Sequence, residues 1–312
     1  MDDSYDLIIV GGGAAGMGAA QYGARANLKT LVLEEMAHGG QALLIDRLEN
    51  YPGLPEPVDG YSWAETMRAQ AESFGAQIRS ASVSSIRKVG GSFAVTTDEG
   101  VLNAKAVVLA TGAKHRHLGV KGEEEFGGRG VSYCATCDGP FFKGKRMVVV
   151  GGGDSACDEA MFLSKLADKV VMVHRKERFR AQKALAERVL SNPKIEVRWN
   201  SVVDEIMGTK AVEKVRLRNV VTGDTSEEAT AAVFVFVGSI PQTAALPESV
   251  ARDDAGSVIT NERMETNLPG LFAVGDVRAT PFRQVVTAVA DGAVAAHCAS
   301  QYIDELEGQA YR

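Results

Sequence analysis

Two glycine-rich turns, far apart in the chain, each lie between an apolar run and a stretch of small residues. Residues 11–16 follow the apolar run 5–10, and residues 151–156 follow 146–150. In such turns the first glycine allows a tight bend, the second lets the backbone approach a pyrophosphate, and the third small residue lets the helix pack closely on the sheet. One such turn is weak evidence, but two in matching strand–turn–helix context predict two dinucleotide-binding units.

Each unit continues in the same way. A second apolar strand follows the helix, at residues 30–33 and 169–173, and a later buried strand ends at a glycine, Gly112 or Gly238. Between these strands, alternating apolar residues interrupted by turn residues predict a small antiparallel meander. We therefore expect an α/β fold of two Rossmann-like domains in three layers, each with its own β-meander.

The residues after each second strand indicate which nucleotide binds. In the first copy Glu34 and Glu35 place carboxylates where they can accept hydrogen bonds from ribose hydroxyls and repel a 2′-phosphate, which favours FAD or NAD. In the second copy cations within residues 174–180 suit a 2′-phosphate and predict NADPH. A solvated charge run that opens a helix is the alternative.

A third signal near the end of the chain indicates how the domains are connected. An apolar strand within residues 270–276 delivers Asp276 after a glycine, which suits the hydroxyl groups of a flavin chain, although an ordinary capping aspartate is the alternative. The order of the motifs predicts that the second domain is inserted into the first. The predicted FAD-binding domain is residues 1–113 plus 246–312, and the predicted NADPH-binding domain, which carries the CxxC motif, is residues 114–245.

Four cysteines are present, and only Cys134 and Cys137 are close in sequence. This pair is expected to be redox-active, because thiols two residues apart can close a disulfide across one helical turn. Cys157 and Cys298 are expected to be inert. Half a zinc site is the alternative, but no second CxxC or suitably spaced Cys/His pair accompanies it, so we predict no metal. Asp138 can serve as a proton donor and acceptor for the dithiol, or can cap the helix that follows.

The composition limits the choice of partners and location. A net charge of −6 and a pI near 5.5 argue against general binding to nucleic acid or to anionic membranes. The acidic N-terminus does not resemble a secretory signal, and no apolar run approaches the roughly 20 residues of a membrane span. We expect a cytoplasmic protein that binds neither nucleic acid nor membrane.

Along nearly its whole length the sequence resembles the bacterial-type, low-molecular-weight thioredoxin reductases. The matching stretches are residues 11–16, 39–41, 49–53, 110–112, 134–139, 151–156, 174–180, 275–276 and 283–284. Two departures are small: Lys176 stands where the family usually has a second arginine, and Gln242 follows Pro241 where asparagine is frequent. Lys176 keeps the charge but loses bidentate geometry, which bears on the choice of NADPH over NADH.

The resemblance implies a homodimeric flavoprotein that passes electrons from NADPH through FAD to the Cys134–Cys137 disulfide and then to thioredoxin. It also implies that Cys137 faces the flavin and that Cys134 attacks the substrate. Because disulfide and nicotinamide would belong to the same inserted domain, we predict a rotation of that domain that presents each in turn to the flavin.

The motifs and the resemblance together predict the site residues. The predicted catalytic residues are Cys134, Cys137 and Asp138. The predicted FAD-binding residues are Gly11, Gly13, Ala14, Ala15, Gly16, Glu34, Glu35, Gly40, Gln41, Asn50, Val83, Thr111, Gly112, Gly275, Asp276, Arg283, Gln284 and Val285. The predicted NADPH-binding residues are Gly151, Gly153, Asp154, Ser155, Ala156, His174, Arg175, Lys176, Arg180 and Gly238.

Two other functions fit part of the pattern. A flavin-dependent dithiol oxidase would act on a small molecule with oxygen and would not need NADPH. A nicotinamide-binding regulatory protein without catalysis would be colourless or would fail to bleach with NADPH.

Overall fold

The computed structural model describes residues 4–45 and 48–310. These residues form two compact units. One contains the residues up to Lys114 and those from Ile240 onward, and the other is His115–Ser239. The chain therefore leaves the first unit once and returns to it, as the order of the motifs predicts.

The first unit is built around one seven-stranded sheet. Its strands are β1 (Ser4–Val10), β2 (Thr30–Glu34), β3 (Gln77–Ser80), β4 (Val83–Val89), β5 (Ser92–Thr97), β6 (Gly100–Leu109) and β17 (Leu271–Ala273). The order is β3-β2-β1-β6-β5-β4, with β17 also paired to β6. Strand β6 belongs to both parts of the sheet, because it pairs antiparallel with β5 and parallel with β1 and β17.

The antiparallel strands β4, β5 and β6 form the meander of this unit. Helices cover one face of the parallel strands, and the meander packs on the other face. The helices are α1 (Ala14–Arg25), α2 (Gly60–Ser73) and α6 (Val285–Leu306), with 3₁₀ turns at Gly40–Leu44 and Gly275–Val277. Successive residues of β1 alternate between the two cores: Leu7 and Ile9 pack with the helices, while Ile8 packs with the meander.

Helices α1 and α6 approach each other closely because small residues face each other. A Cβ on Gly18 would lie 2.7 Å from the Val289 carbonyl oxygen, and one on Gly292 would overlap the backbone of Ala15. Gly18 is unfavourable in an isolated helix, and this packing accounts for it.

The second unit repeats the plan with a separate meander. Its parallel sheet is formed by β8 (Val131–Ser132), β9 (Arg146–Gly151), β10 (Lys169–Val173), β11 (Ile195–Arg198) and β15 (Ala232–Phe236), and its meander by β12 (Ser201–Gly208), β13 (Val212–Asn219) and β14 (Thr225–Ala229). The parallel order is β11-β10-β9-β15-β8. The helices are α3 (Ala135–Asp138), α4 (Asp154–Leu166) and α5 (Lys183–Ser191). A 3₁₀ turn, Gly139–Phe142, directly follows α3.

The two crossing segments, β7 (Ala113–His115) and β16 (Ser239–Pro241), pair with each other as a two-stranded sheet. The sequence predicts an inserted domain of residues 114–245, whereas Lys114 and residues 240–245 lie in the first unit. There the Ile86 N–H donates to the Ala245 carbonyl at 2.8 Å. The expected fold class, two Rossmann-like units with the second inserted into the first, is confirmed. No helix among the described residues is long and apolar enough to cross a membrane.

Candidate active site

The CxxC motif forms a disulfide at the start of α3. Cys134 and Cys137 are bonded, with their Cα atoms 5.4 Å apart. Cys134 is the N-cap of α3, and its Sγ accepts the Cys137 N–H at 3.2 Å. Cys137 is exposed and Cys134 is half-buried, so the disulfide lies at the surface of the described chain.

Buried neighbours fix the backbone on both sides of this pair. The hydroxyl of Ser132 accepts the Cys134 N–H at 3.0 Å and donates to the Cys134 carbonyl at 3.1 Å. After the pair, Gly139 packs against α4, where a Cβ would lie 2.7 Å from Leu163 Cδ2. The glycine of the motif thus packs closely against side chains of α4, and both ends of the disulfide loop are anchored.

Asp138 directly follows the disulfide and is partly exposed. Its side chain makes no capping hydrogen bond to the 3₁₀ turn that follows it. The capping alternative for Asp138 therefore has no support in the geometry, and the carboxylate is left beside the dithiol.

The first glycine turn forms a cradle of backbone between β1 and α1. Gly11 has φ +104°, and a Cβ on Gly11 would overlap the Ala110 carbonyl; one on Gly16 would overlap Gly11. Gly13 is the N-cap of α1 and offers no side-chain cap. Gly13 therefore caps none of the first backbone N–H groups of α1, and within residues 4–45 and 48–310 no side-chain cap replaces it. This is the arrangement that binds phosphate groups.

Glu34 ends β2 beside this cradle. Its Oε2 accepts the Gly12 N–H at 2.6 Å and its Oε1 accepts the Met36 N–H at 2.9 Å. These bonds hold the carboxylate at the glycine turn, whereas Glu35 points to an exposed position. Of the two predicted acids, Glu34 is the one the structure brings to the turn.

Other predicted FAD-binding residues gather around the carboxyl ends of the same strands. Asn50 Nδ2 donates to Gln284 Oε1 at 2.9 Å, and Gln41 donates from its side chain to the Ala113 carbonyl. Gly40 lies against the first turn, where its Cβ would be 3.2 Å from Gly13 Cα.

Further residues of this group follow β6 or begin β4. Gly112 has φ +62°, and the Thr111 hydroxyl donates to the Gln242 carbonyl at 2.6 Å. Val83 is the first residue of β4 and is half-buried.

The late segment of the first unit brings an acid to the start of α6. Gly275 has φ +67°, and its added Cβ would lie 3.0 Å from Ala15 Cβ. Burial raises the pKa of Asp276, the positive charge of Arg283 opposes this, and Asp291 adds to it. Gln284 caps α6, whose first residue is Val285, so the predicted residues of this segment lie together.

Two residues that the sequence analysis missed hold this segment in place. Asp291 Oδ2 accepts the Gly275 N–H at 3.1 Å and pairs with Arg278 at 3.2 Å, with both side chains largely buried. Arg278 also donates to the Thr260 hydroxyl at 2.7 Å. No local motif marks this ion pair, because it depends on α6 folding back over the turn.

The second glycine turn is a similar cradle between β9 and α4. A Cβ on Gly151 would lie 2.7 Å from Ala156 Cβ, and Gly153 is an N-cap without a side-chain cap. The Asp154 carboxylate is held by a hydrogen bond, because its Oδ1 accepts the Gln182 N–H at 2.7 Å. Ser155 is exposed in the first turn of α4.

The three cations predicted to bind NADPH lie in the segment after β10, and one of them, Arg180, reaches this cradle. Arg175, Lys176 and Arg180 are exposed, and within residues 4–45 and 48–310 none of them forms an ion pair. The Arg180 N–H donates to the Gly152 carbonyl at 2.7 Å, and its guanidinium lies 3.5 Å from where a Gly153 Cβ would be. Uncompensated guanidinium and ammonium groups at a helix N-terminus suit a phosphate monoester.

His174 has a packing role that its sequence position did not indicate. Its ring fills the space over Gly152 and packs with Phe179 and Trp199, and its Nε2 hydrogen-bonds the Arg178 carbonyl at 3.0 Å. Burial lowers the His174 pKa, the hydrogen bond to the Arg178 carbonyl opposes this, and the positive charges of Arg175, Lys176 and Arg180 lower the pKa further. The ring is therefore expected to be neutral and to shape the turn.

Gly238 follows the end of β15 with φ +116°. Its carbonyl accepts the Arg116 N–H at 2.9 Å. Because β15 runs parallel to β9, Gly238 lies at the same end of the sheet as the glycine turn.

The two remaining cysteines do not form a second redox site, and the described residues do not form a metal site. Cys157 and Cys298 are free and buried. Burial raises the pKa of Cys157 to about 12 and also raises that of Cys298, so both thiols are poor nucleophiles. Among the residues that the structure describes, no cluster of three or more His, Cys, Asp or Glu side chains could hold a metal ion.

Comparison with known proteins gives the family. Residues 5–292 match the family described as pyridine nucleotide-disulphide oxidoreductase. Thioredoxin reductase of Treponema pallidum (strain Nichols) is 55% identical over 307 residues, covering 98% of this chain and 100% of that protein. The crystal structure of Lactococcus lactis thioredoxin reductase matches with a TM-score of 0.94 at 42% identity, covering 96% of this chain and 99% of that one. The crystal structure of T. acidophilum thioredoxin reductase matches with a TM-score of 0.91 at 37% identity, covering 97% of this chain and 99% of that one. The chain therefore belongs to the pyridine nucleotide-disulphide oxidoreductase family, among its thioredoxin reductases.

Proposed function

We propose that this chain reduces the disulfide of thioredoxin with electrons from NADPH, by way of bound FAD and the Cys134–Cys137 pair. The observation that carries the proposal is the accessible disulfide on α3, in a chain whose full length resembles thioredoxin reductases.

The first unit suits FAD. Its glycine turn leaves no room for a Cβ at Gly11 or Gly16, and the N-terminus of α1 has no side-chain cap. Glu34 would accept hydrogen bonds from the ribose of the adenosine and would repel a 2′-phosphate. The predicted residues from Gly275 to Val285 would hold the rest of the cofactor. When bound, FAD supplies a ring that accepts a hydride and passes on two electrons.

The second unit suits NADPH. Arg180 lies beside the glycine turn, and Arg175 and Lys176 precede it in the same exposed segment after β10. None of these three cations has an ion-pair partner among the described residues. They would bind the 2′-phosphate, while the uncapped N-terminus of α4 would bind the pyrophosphate. His174 would contribute by shaping the turn through its contact with Gly152.

The reduced dithiol would react with thioredoxin in two exchange steps. The Cys134 thiolate would attack a sulfur of the substrate disulfide, form a mixed disulfide and release one substrate thiolate. The Cys137 thiolate would then attack Cys134 Sγ, restore the Cys134–Cys137 bond and release the second substrate thiolate. The two electrons lost by the dithiol are the two gained by thioredoxin. Asp138 would accept a proton from an attacking thiol and return it to a leaving thiolate.

The homodimer and the cytoplasmic location expected from the sequence remain part of the proposal, as does rotation of the inserted domain. Analytical ultracentrifugation tests the first: a single species of twice the chain mass is expected, and a monomer at all concentrations would contradict it.

The central test is an assay of NADPH oxidation at 340 nm with a bacterial thioredoxin. Wild-type protein should consume NADPH only when oxidised thioredoxin is present, and Cys134→Ser and Cys137→Ser should abolish that consumption. Cys157→Ser, a change at a buried free cysteine, is the control and should retain turnover. No turnover with several thioredoxins would contradict the proposal, and rapid oxygen consumption with a small dithiol in the absence of NADPH would favour a dithiol oxidase.

A further inference from the structure

The residue directly before the redox pair is tied down by its side chain. The Tyr133 hydroxyl donates to Glu123 Oε1 at 2.7 Å. Glu123 is buried, with 2% of its surface exposed, and its two oxygens also accept the N–H groups of Leu118 at 2.8 Å and Gly119 at 2.6 Å. One buried carboxylate thus joins the backbone of the segment after β7 to the side chain of Tyr133.

Two imidazoles flank the Tyr133 ring. His117 Nδ1 lies 2.7 Å from the Tyr133 hydroxyl. Because the single hydroxyl hydrogen is directed to Glu123, the oxygen accepts from His117, which must carry a proton on Nδ1. His115 stacks on the ring with centroids 6.1 Å apart and an interplanar angle of 22°. Burial lowers the pKa of His115, so it stacks as a neutral ring.

The phenol remains a hydrogen-bond donor over the working range of pH. Burial raises the pKa of Tyr133, and the hydrogen bond and charge of Glu123 raise it further. The bond from Tyr133 to Glu123 is therefore a neutral donor on a carboxylate, a type that is stronger than a neutral–neutral bond.

We propose that Tyr133 is a positioning residue for the redox pair: through Glu123 and His117 it holds Cys134 at the distance from Cys137 that favours disulfide closure. The effect of Tyr133 on turnover rests on the proposed function, whereas the effect of Tyr133 on the disulfide does not.

The direction of the effect follows from comparing the two redox states. In the oxidised state the disulfide itself restrains Cys134. In the reduced state the surrounding contacts do so, among them the Ser132 hydroxyl on the backbone, the Cys137 N–H on the sulfur and the Tyr133 bond beside it. Removing the Tyr133 bond therefore frees the reduced state more than the oxidised one. The effective concentration of one thiol at the other falls, and the pair becomes easier to reduce.

The test is the thiol–disulfide equilibrium of Cys134–Cys137 in dithiothreitol or glutathione buffers, followed by acid quench, alkylation and peptide mass spectrometry. Tyr133→Phe keeps the ring between the two imidazoles and removes only the hydroxyl. We expect its equilibrium constant to move about threefold to tenfold toward the dithiol, where tenfold corresponds to about 30 mV for a two-electron couple. Tyr61→Phe, at an exposed position on α2, is the matched control and should match wild type.

Glu123→Gln provides a second measurement. It should shift the equilibrium in the same direction by a smaller factor, because the amide oxygen of Gln can still accept the Tyr133 hydroxyl but without the charge of the carboxylate. Combining it with Tyr133→Phe should add little, because both changes act on the same bond. Tyr133→Phe within twofold of wild type would overturn the inference, whatever the turnover number. A shifted equilibrium in a protein that fails to reduce thioredoxin would refute the proposed function and leave the inference standing.

Discussion

The side-chain amide of Asn50 donates a 2.9 Å hydrogen bond to Oε1 of Gln284, although the two residues are 234 positions apart. Gln284 also caps α6 together with Thr287. The bond therefore joins the segment after the first 3₁₀ turn to the helix that follows Asp276, and it brings together two residues that the sequence assigns to FAD.

Asn50→Ala should weaken FAD binding. Loss of one hydrogen bond of this kind costs about 0.5–1.5 kcal/mol, so the dissociation constant should rise about twofold to tenfold. Fluorescence titration of flavin-stripped protein with FAD measures this. Asn103→Ala, at an exposed position of β6, is the control; equal affinities for the two variants would place Asn50 outside the site.

Coenzyme selectivity should depend on the exposed cations of the second unit. Arg175→Ala should raise the KM for NADPH about tenfold to a hundredfold, because hydrogen bonds to a charged group are worth about 1.5–3 kcal/mol, while the KM for NADH should change little. Arg178→Ala is the control in the same loop, since its known contact to His174 uses the backbone carbonyl. Equal loss with both coenzymes would mean that Arg175 does not bind the 2′-phosphate.

The sequence predicted the features that depend on local pattern. The two glycine turns, the alternating strands and the CxxC motif each need only neighbouring residues, so their positions and the fold class could be read directly. The bond from Asn50 to Gln284 joins two residues that had each been assigned, but their pairing could not be read from the sequence.

Features that depend on distant contacts were missed. The pair of Arg278 with Asp291 and the bond of Tyr133 to Glu123 arise only when separate segments fold together. His174 had been assigned to the coenzyme from its place after β10, yet packing over Gly152 sets its environment. Residues 240–245 read as part of the insert because no composition change marks where the chain re-enters the first unit.

Asp138→Asn should slow thioredoxin reduction without changing the fold. A proton donor and acceptor typically contributes a factor of about 10²–10⁴, and exchange thiols can partly use water, so a loss near the lower end is expected. Stopped-flow measurement of the oxidation of reduced enzyme by thioredoxin isolates this step. Asp168→Asn, at an exposed position, is the control; an unchanged rate for Asp138→Asn would remove the proposed proton-transfer role.

Helix packing in the first unit should not tolerate an extra methyl group. Gly292→Ala would place a Cβ into the backbone of Ala15 on α1, whereas Gly91→Ala would place one in open space without a positive φ. Overpacking typically costs about 1–3 kcal/mol. Thermal unfolding should show a clear decrease in Tm for Gly292→Ala and no decrease for Gly91→Ala; similar Tm values would mean that α1 and α6 can separate without cost.

Asp276 should lower the stability of the flavin-free chain as the pH rises. Burial raises its folded-state pKa above the ordinary value, so the unfolded chain loses this proton at a lower pH than the folded chain does. Between the two pKa values the unfolded state binds fewer protons, and the free energy of unfolding falls with increasing pH until both states are ionised.

Asp276→Asn has no such charge to bury. The Tm of this variant minus that of wild type should therefore become more positive from pH 3.5 (about the lower end of the ordinary carboxyl range) to neutral pH. Asp254→Asn, at an exposed position, should show no such trend. A difference for Asp276→Asn that does not vary with pH would mean that burial does not disfavour the Asp276 carboxylate.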